Sequence, residues 1–272
     1  MRAYKSCLPL LTLATAIAAA SAAPAQAFTL FFGEDINPNP QDTSSTFDDI
    51  VNSRAAEQDF LAELDRYGTE DFESFEPGTP GPLALEFEGL GSAILNGGGN
   101  KSSIKTVDES LLNDPNVPQA LKDDIEREIR LGRNASSGDQ YFLTNAAQNF
   151  QVDLESPAKA FGFYAYDLGD FEAKTYLDLY AAGELIDSIE IPNRDGSNAS
   201  TNGSAFYFGL LSEDESEFFD QVVFRMNGVQ GDEFAFDDLT ISAGKAVPEP
   251  TTLLGLLGFG SIACLTLRKR SV

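Results

Sequence analysis

Carboxylates are the side chains this sequence supplies in number for acid, base or cation-binding work. It holds 43 aspartates and glutamates against 18 lysines and arginines, and no histidine. A Ser-His-Asp or Cys-His site and a histidine-based zinc site are therefore excluded. Its cysteines, Cys7 and Cys264, stand near the two termini, so the body between them has neither a thiol nucleophile nor an internal disulfide. A hydrolase built on this chain would need a carboxylate pair with one acid raised in pKa by burial, as many glycosidases use. Carboxylates are so abundant that spacing nominates no such pair. Glu34, Asp35, Asn37 and Asn39 place oxygen side chains close together in a loop. Hard cations take roughly six to eight such oxygens, but the spacing is not that of an EF-hand. Tyr164, Tyr166, Tyr176, Tyr180 and Tyr207 are flat rings on which a sugar could stack, in a chain without tryptophan. Alternating aromatics serve a core equally well.

Both ends read as addresses. Arg2 and Lys5, the apolar stretch Leu8 to Ala20, and the small-x-small site Ala25-Gln26-Ala27 make residues 1–27 a secretory signal peptide. Its partners are the translocon and signal peptidase. At the other end Val247-Pro248-Glu249-Pro250 precedes the uncharged run Thr251 to Leu267, and Arg268, Lys269 and Arg270 follow. That run, 251–267, is about 17 residues, at the short end of the roughly 17–25 that cross a bilayer as a helix. The basic triplet holds the tail on the cytoplasmic side, so everything before Val247 lies outside the cytoplasm. Pro248 and Pro250 keep the acidic motif extended, as a protease cleft requires.

All 43 acidic residues lie between Phe28 and Pro250, so the body is more acidic than the chain's net −25. That excludes nucleic acid as a partner and adhesion to anionic lipid by charge. It suits divalent cations, or simply a solvated surface.

The elements that must position any site follow in order. Phe28 to Phe32 is a short strand. Ser45 to Asp49 begins a helix whose stripe runs through Ile50, Phe60 and Leu64 and which stops at Gly68. A proline-rich linker leads to Leu83, where the period becomes two. Ser92 to Leu95 is a strand between glycine turns. Ile104 to Gly132 reads as an insertion carrying a surface helix, Val117 to Leu131, with Gly132 at its stop. Strands then follow at Gln140–Leu143, Phe150–Leu154, Ala160–Tyr166, Thr175–Ala181, Glu184–Ile191, Ala205–Leu210, Gln221–Met226 and Glu233–Ile241, with a hairpin turn at Ala182-Gly183. The spacing predicts a mainly β antiparallel sandwich with one or two peripheral helices. The domain boundaries are an acidic extension with a helix at 28–82, a sandwich at 83–244 and a tail at 247–272.

The order Pro-Glu-Pro, apolar helix, basic end resembles the PEP-CTERM sorting signal of Gram-negative bacteria and cyanobacteria. The resemblance implies an exosortase as partner, a transient inner-membrane anchor, and delivery to the cell surface or an extracellular polysaccharide. An ordinary C-terminal anchor is the plainer alternative. The runs Leu85 to Leu90, Ala160 to Asp167 and Phe234 to Ile241 resemble the strands of exported PEP-CTERM jelly-roll domains, which are similar to carbohydrate-binding modules. That implies a structural calcium joining an acid of an early strand to an aspartate of the last. Glu88 and Asp237 match, with Asp238 as the alternative, since neighbours on a strand face opposite ways. The bland reading is that these aspartates solvate the strand.

The reading that results is an exported, non-catalytic surface or matrix protein. A glycan-binding module is the second reading and a carboxylate-dependent glycosidase the third. A glycan binder requires two or more rings exposed on one side of the sandwich; a glycosidase requires two carboxyls in a cleft.

Overall fold

The computed structural model describes residues 28–40, 50–169, 174–192, 200–227 and 232–244. The cleavage residues Ala25 and Ala27, the helix start at 45–49, the motif Val247, Pro248, Glu249 and Pro250, the run 251–267 and Arg268, Lys269 and Arg270 lie outside the described residues. Among the described residues no helix is long and apolar enough to cross a membrane.

The described chain is mainly β. Its elements are β1 (Phe28–Asp35), α1 (Val51–Ala62), β2 (Gly68–Glu70), β3 (Leu83–Phe87), β4 (Gly91–Asn96), β5 (Ser103–Thr106) and α2 (Gln119–Leu131). Then come β6 (Gln140–Asn145), β7 (Gln151–Tyr166), β8 (Lys174–Ala181), β9 (Glu184–Glu190), β10 (Ala205–Ser212), β11 (Phe219–Asn227) and β12 (Glu233–Ala243). Every pairing is antiparallel.

β7 organises the rest. Two strands were expected over its length; one 16-residue strand is found. Its first part pairs with β4 and β11, its second with β10 and β12. The partners change around Pro157, which lacks an N–H for a ladder but whose carbonyl accepts from Gly244 N at 2.8 Å. β7 thus joins two layers. Sheet I runs β5-β6-β12-β7-β10-β1, with β2 also on β12; sheet II runs β3-β4-β7-β11-β8-β9.

Strict alternation drives the layers together. β3 reads Leu-Ala-Leu-Glu-Phe, buried and exposed in turn. Its Leu83, Leu85 and Phe87 enter one core with Val152, Leu177, Leu179, Val222 and Phe224 from sheet II and Phe142, Phe163, Phe208 and Phe236 from sheet I. Rings meet with centroids 4.6 Å apart for Phe150–Phe224 and 5.1 Å for Phe163–Phe236. Each buried ring contributes about 1.5–3 kcal/mol of transfer free energy.

Sheet I is covered on its outer side too. There Tyr141, Tyr164, Tyr166 and Tyr207 form a second cluster with Ile50, Ala56, Phe60 and Leu64 of the α1 region. Gly162 and Gly209 are direct partners across β7 and β10. A Cβ on either would stand within 2.9 Å of the Phe60 ring. The glycine pair is the hollow that receives α1. α2 ends on Gly132 at φ 73°, the left-handed stop its sequence announces. Ile104 to Thr106, expected inside an insertion, instead form β5 against β6, because Ile104 is fully buried in the core.

Candidate functional site

The carboxylates singled out in the sequence separate. Glu88 is exposed in the β3–β4 turn. Asp237, on β12 opposite Tyr164, is fully buried. Among the described residues no group of three or more His, Cys, Asp or Glu side chains comes together. Asp237 and Asp238 do converge. Neighbours on a regular strand face opposite ways, but β12 shifts register between Asp237 and Thr240, and Asp238 takes φ 45°. That bulge turns both carboxyls to one place.

The loop after α2 meets them there. Ser136 N and Oγ reach Asp237 Oδ2 at 2.6 and 2.8 Å; Ser136 Oγ also lies 2.8 Å from Asp238 Oδ2, and Ser137 Oγ donates to Asp238 Oδ1 at 2.8 Å. Ser136 has one hydroxyl proton and cannot donate to both carboxyls. A proton held on one carboxyl satisfies the second contact. The pKa directions agree. Burial, then the Asp238 charge, push Asp237 well above the usual carboxylate range, and burial likewise raises Asp238. Asp237 Oδ1 is buried without a hydrogen-bond partner. Glu57 of α1 is raised by burial as well, although Tyr164 OH donates to its Oε2 at 2.8 Å. Asp237 and Asp238 are buried, while Glu57 is half-buried.

The other loop oxygens are also engaged. Asp35 accepts from Asn52 N and Ser53 N at 3.1 and 2.8 Å, at the start of α1. Asn37 Oδ1 accepts from Asn39 N at 3.0 Å.

The five tyrosines divide between the layers. Tyr164, Tyr166 and Tyr207 are buried beneath α1 and belong to the core. Burial raises the pKa of all three. Tyr176 and Tyr180 lie half-buried on the outer face of sheet II. On β8 they alternate with Leu177 and Leu179, which enter the core. Register places Leu185, Tyr180, Gln221, Asp153, Ile94 and Ala84 in one row across six strands. Leu185 and Ile94 are exposed apolar members of that row.

Polar groups on this face are held in fixed positions. Asp153 accepts from Gln221 Nε2 at 2.6 Å, from Gln151 Nε2 at 2.9 Å and from Asn96 Nδ2 at 2.8 Å. Burial would raise its pKa, but these donors outweigh it and lower it. Arg225 forks onto Asp178 at 2.7 and 3.0 Å and also donates to Ser188 Oγ at 2.9 Å. Its guanidinium carbon stands 4.5 Å from the centre of the Tyr176 ring. Burial raises Asp178, and Arg225 and Ser188 more than offset that. The result is a flat face of rings, amides and carboxylates. Sequence reading missed the amides Asn96, Gln151 and Gln221; their signal was their place opposite aliphatic residues on period-two strands.

Residues 246–271 match the PEP-CTERM protein-sorting motif. No curated protein matches the chain. Among solved structures, TmCBM61 in complex with beta-1,4-galactotriose is similar at 16% identity, over 56% of this chain and 88% of that one, with a TM-score of 0.25. The K2 cleaved adhesin domain of Lys-gingipain is similar at 11% identity, over 65% and 99%, with a TM-score of 0.34. The C-terminal family 22 carbohydrate binding module of Clostridium thermocellum Xyn10B is similar at 15% identity, over 43% and 80%, with a TM-score of 0.20. Likeness at this level says nothing about ligands.

Proposed function

We propose that this protein is exported cargo, sorted by an exosortase through Val247-Pro248-Glu249-Pro250 and delivered to the cell surface or its polysaccharide matrix, where it acts without catalysis. The observation that carries this is the sorting-motif match over residues 246–271. In this reading the signal peptide is cut after Ala27, the run 251–267 anchors the chain transiently in the inner membrane, and Arg268, Lys269 and Arg270 hold its end in the cytoplasm. The test is to replace Pro248, Glu249 and Pro250 together by alanine in an exosortase-bearing host. The variant is expected to accumulate in the inner membrane with its tail attached, while the wild-type chain loses its tail and leaves that membrane. Identical fractionation and mass for the two would end this reading.

The outer face of sheet II favours a second reading, glycan binding. Tyr176 and Tyr180 share that face with side chains already fixed by hydrogen bonds, so little ordering entropy opposes a ligand. An aromatic contact contributes about 0.5–1.5 kcal/mol beyond its area, and 1.4 kcal/mol is tenfold in affinity. Tyr176→Ala and Tyr180→Ala are each expected to weaken binding about tenfold on a glycan array, with the fold retained. A wild-type chain that binds no glycan on the array excludes this reading and leaves the sorting proposal standing.

A further inference from the structure

A cavity of about 230 Å3 opens at one end of the sandwich, away from both sites above, lined by Asp65, Arg66, Leu90, Lys159, Ser242 and Ala243. It lies where β7 passes between the layers and β12 ends. Among the described residues Lys101, Lys105, Arg127, Arg133, Lys174 and Arg225 pair with carboxylates, while Arg54, Lys122 and Arg130 do not. Neither Arg66 nor Lys159 makes an ion pair there, although Asp65 lines the same cavity. The site is held in shape. Ser242 Oγ donates to the Arg66 carbonyl at 2.6 Å. The Arg66 guanidinium passes over Gly89 so closely that a Cβ at that residue would stand 2.0 Å from Nη2.

We infer that this cavity binds a uronate residue of an acidic polysaccharide. Two unpaired cations call for an anion. Asp65 opposes the charge of any anion, phosphate and uronate alike, but accepts hydrogen bonds from the hydroxyls that only the sugar brings. Leu90 and Ala243 give a ring an apolar edge. The volume falls below the roughly 300 Å3 at which pockets for drug-sized ligands begin, so a single ring is the unit recognised. A sugar acid meets all these demands together; a neutral sugar leaves the cations unpaired, and phosphate meets only the cations. The natural ligand rests on the matrix-facing reading of the function, but the binding itself does not need export.

The test is calorimetric titration of the full chain in detergent micelles. Probes are uronate oligomers of gluco, galacto and manno configuration, each beside its methyl ester, which keeps the ring and removes the charge. At least one uronate is expected to bind, and at least tenfold more tightly than its ester. Arg66→Gln and Lys159→Gln are each expected to weaken it about tenfold or more, and Tyr176→Ala to leave it unchanged. Arg66 is exposed, so Arg66→Gln can be read even if Lys159→Gln fails to fold. The inference is overturned if no uronate binds, if ester and acid bind alike, if inorganic phosphate competes as well as the uronate, or if Arg66→Gln binds like the wild-type chain. The alanine-substituted sorting motif should leave this binding intact, so a failure of export and a failure of recognition remain distinguishable.

Discussion

Arg133→Ala is expected to remove about 3–5 kcal/mol of stability, because it strips a partner from two buried carboxylates. Arg133 follows α2 and reaches into the body. Its Nε binds Asp167 Oδ2 at 3.0 Å, its Nη1 binds Glu128 Oε2 at 3.2 Å, and its Nη2 donates to the Glu233 carbonyl at 2.9 Å. The Glu128 side chain is 0% exposed and that of Asp167 3%. Tyr141 OH donates to Glu128 at 2.9 Å, and Arg127 pairs with its other oxygen at 2.6 Å. Glu128 therefore keeps partners in the variant, while Asp167 loses its contact with Arg133. Burial alone would lower the Arg133 pKa; the Asp167 and Glu128 charges outweigh it and raise it. Arg133→Lys should recover little, since one ammonium cannot fork across carboxylates on two elements. Asp167→Asn in the alanine background should return part of the loss. Asn tolerates the φ of 64° that Asp167 adopts. Urea unfolding of the four chains at neutral pH measures this. A loss below about 1 kcal/mol at neutral pH would put the cluster in the class of solvated surface pairs.

This ion cluster was not legible in the sequence, and the reason is general. Period and punctuation report what a residue does for its own element. The alternation Leu83, Leu85, Phe87 announced β3, and Gly132 announced the end of α2, because both are local effects. The hairpin at Ala182-Gly183 was equally local, with both residues at positive φ. Tertiary partners override such signals or leave none. α1 has Ile50 at its N-cap with no side-chain cap; the carboxylate that serves its first turn is Asp35, from β1. β2 and β5 are too short to show a period, and they exist because the core has room for Ile104 and because β12 has a free edge at Leu239. The continuity of β7 through Pro157 depends on a change of partners that no window of sequence contains. The aromatic stripes were visible as stripes, but only the docking of Phe60 on Gly162 and Gly209 decides that Tyr164 and Tyr207 are core while Tyr176 and Tyr180 face outward.

Asp237→Asn is expected to stabilise the protein at neutral pH and to flatten its pH dependence. Burial first, and then Asp238, raise the Asp237 pKa above its ordinary 3.8. A carboxyl raised in the folded state favours folding while it is protonated. Its stabilising contribution is therefore complete below about 3.8 and is lost as pH climbs from there through the folded pKa. Each unit of that rise corresponds to about 1.4 kcal/mol. Asparagine has the shape of the protonated acid and keeps an oxygen for Ser136, so the two chains should melt alike near pH 3 and diverge as pH rises. Asp237→Ala removes the acceptor for Ser136 as well and should be less stable than either across the range. The same titration decides between a proton and a cation at this pair. A structural calcium on Asp237 and Asp238 would reverse the order in calcium-containing buffer, with the asparagine variant melting lower, and a chelator would lower the wild-type midpoint alone. With Glu88 exposed and the two carboxyls held by Ser136 and Ser137, a chelator is expected to leave both midpoints where they are. The bulge at Asp238 is then a device that brings two acids onto the Ser136 hydroxyl, holding the α2 loop to the last strand.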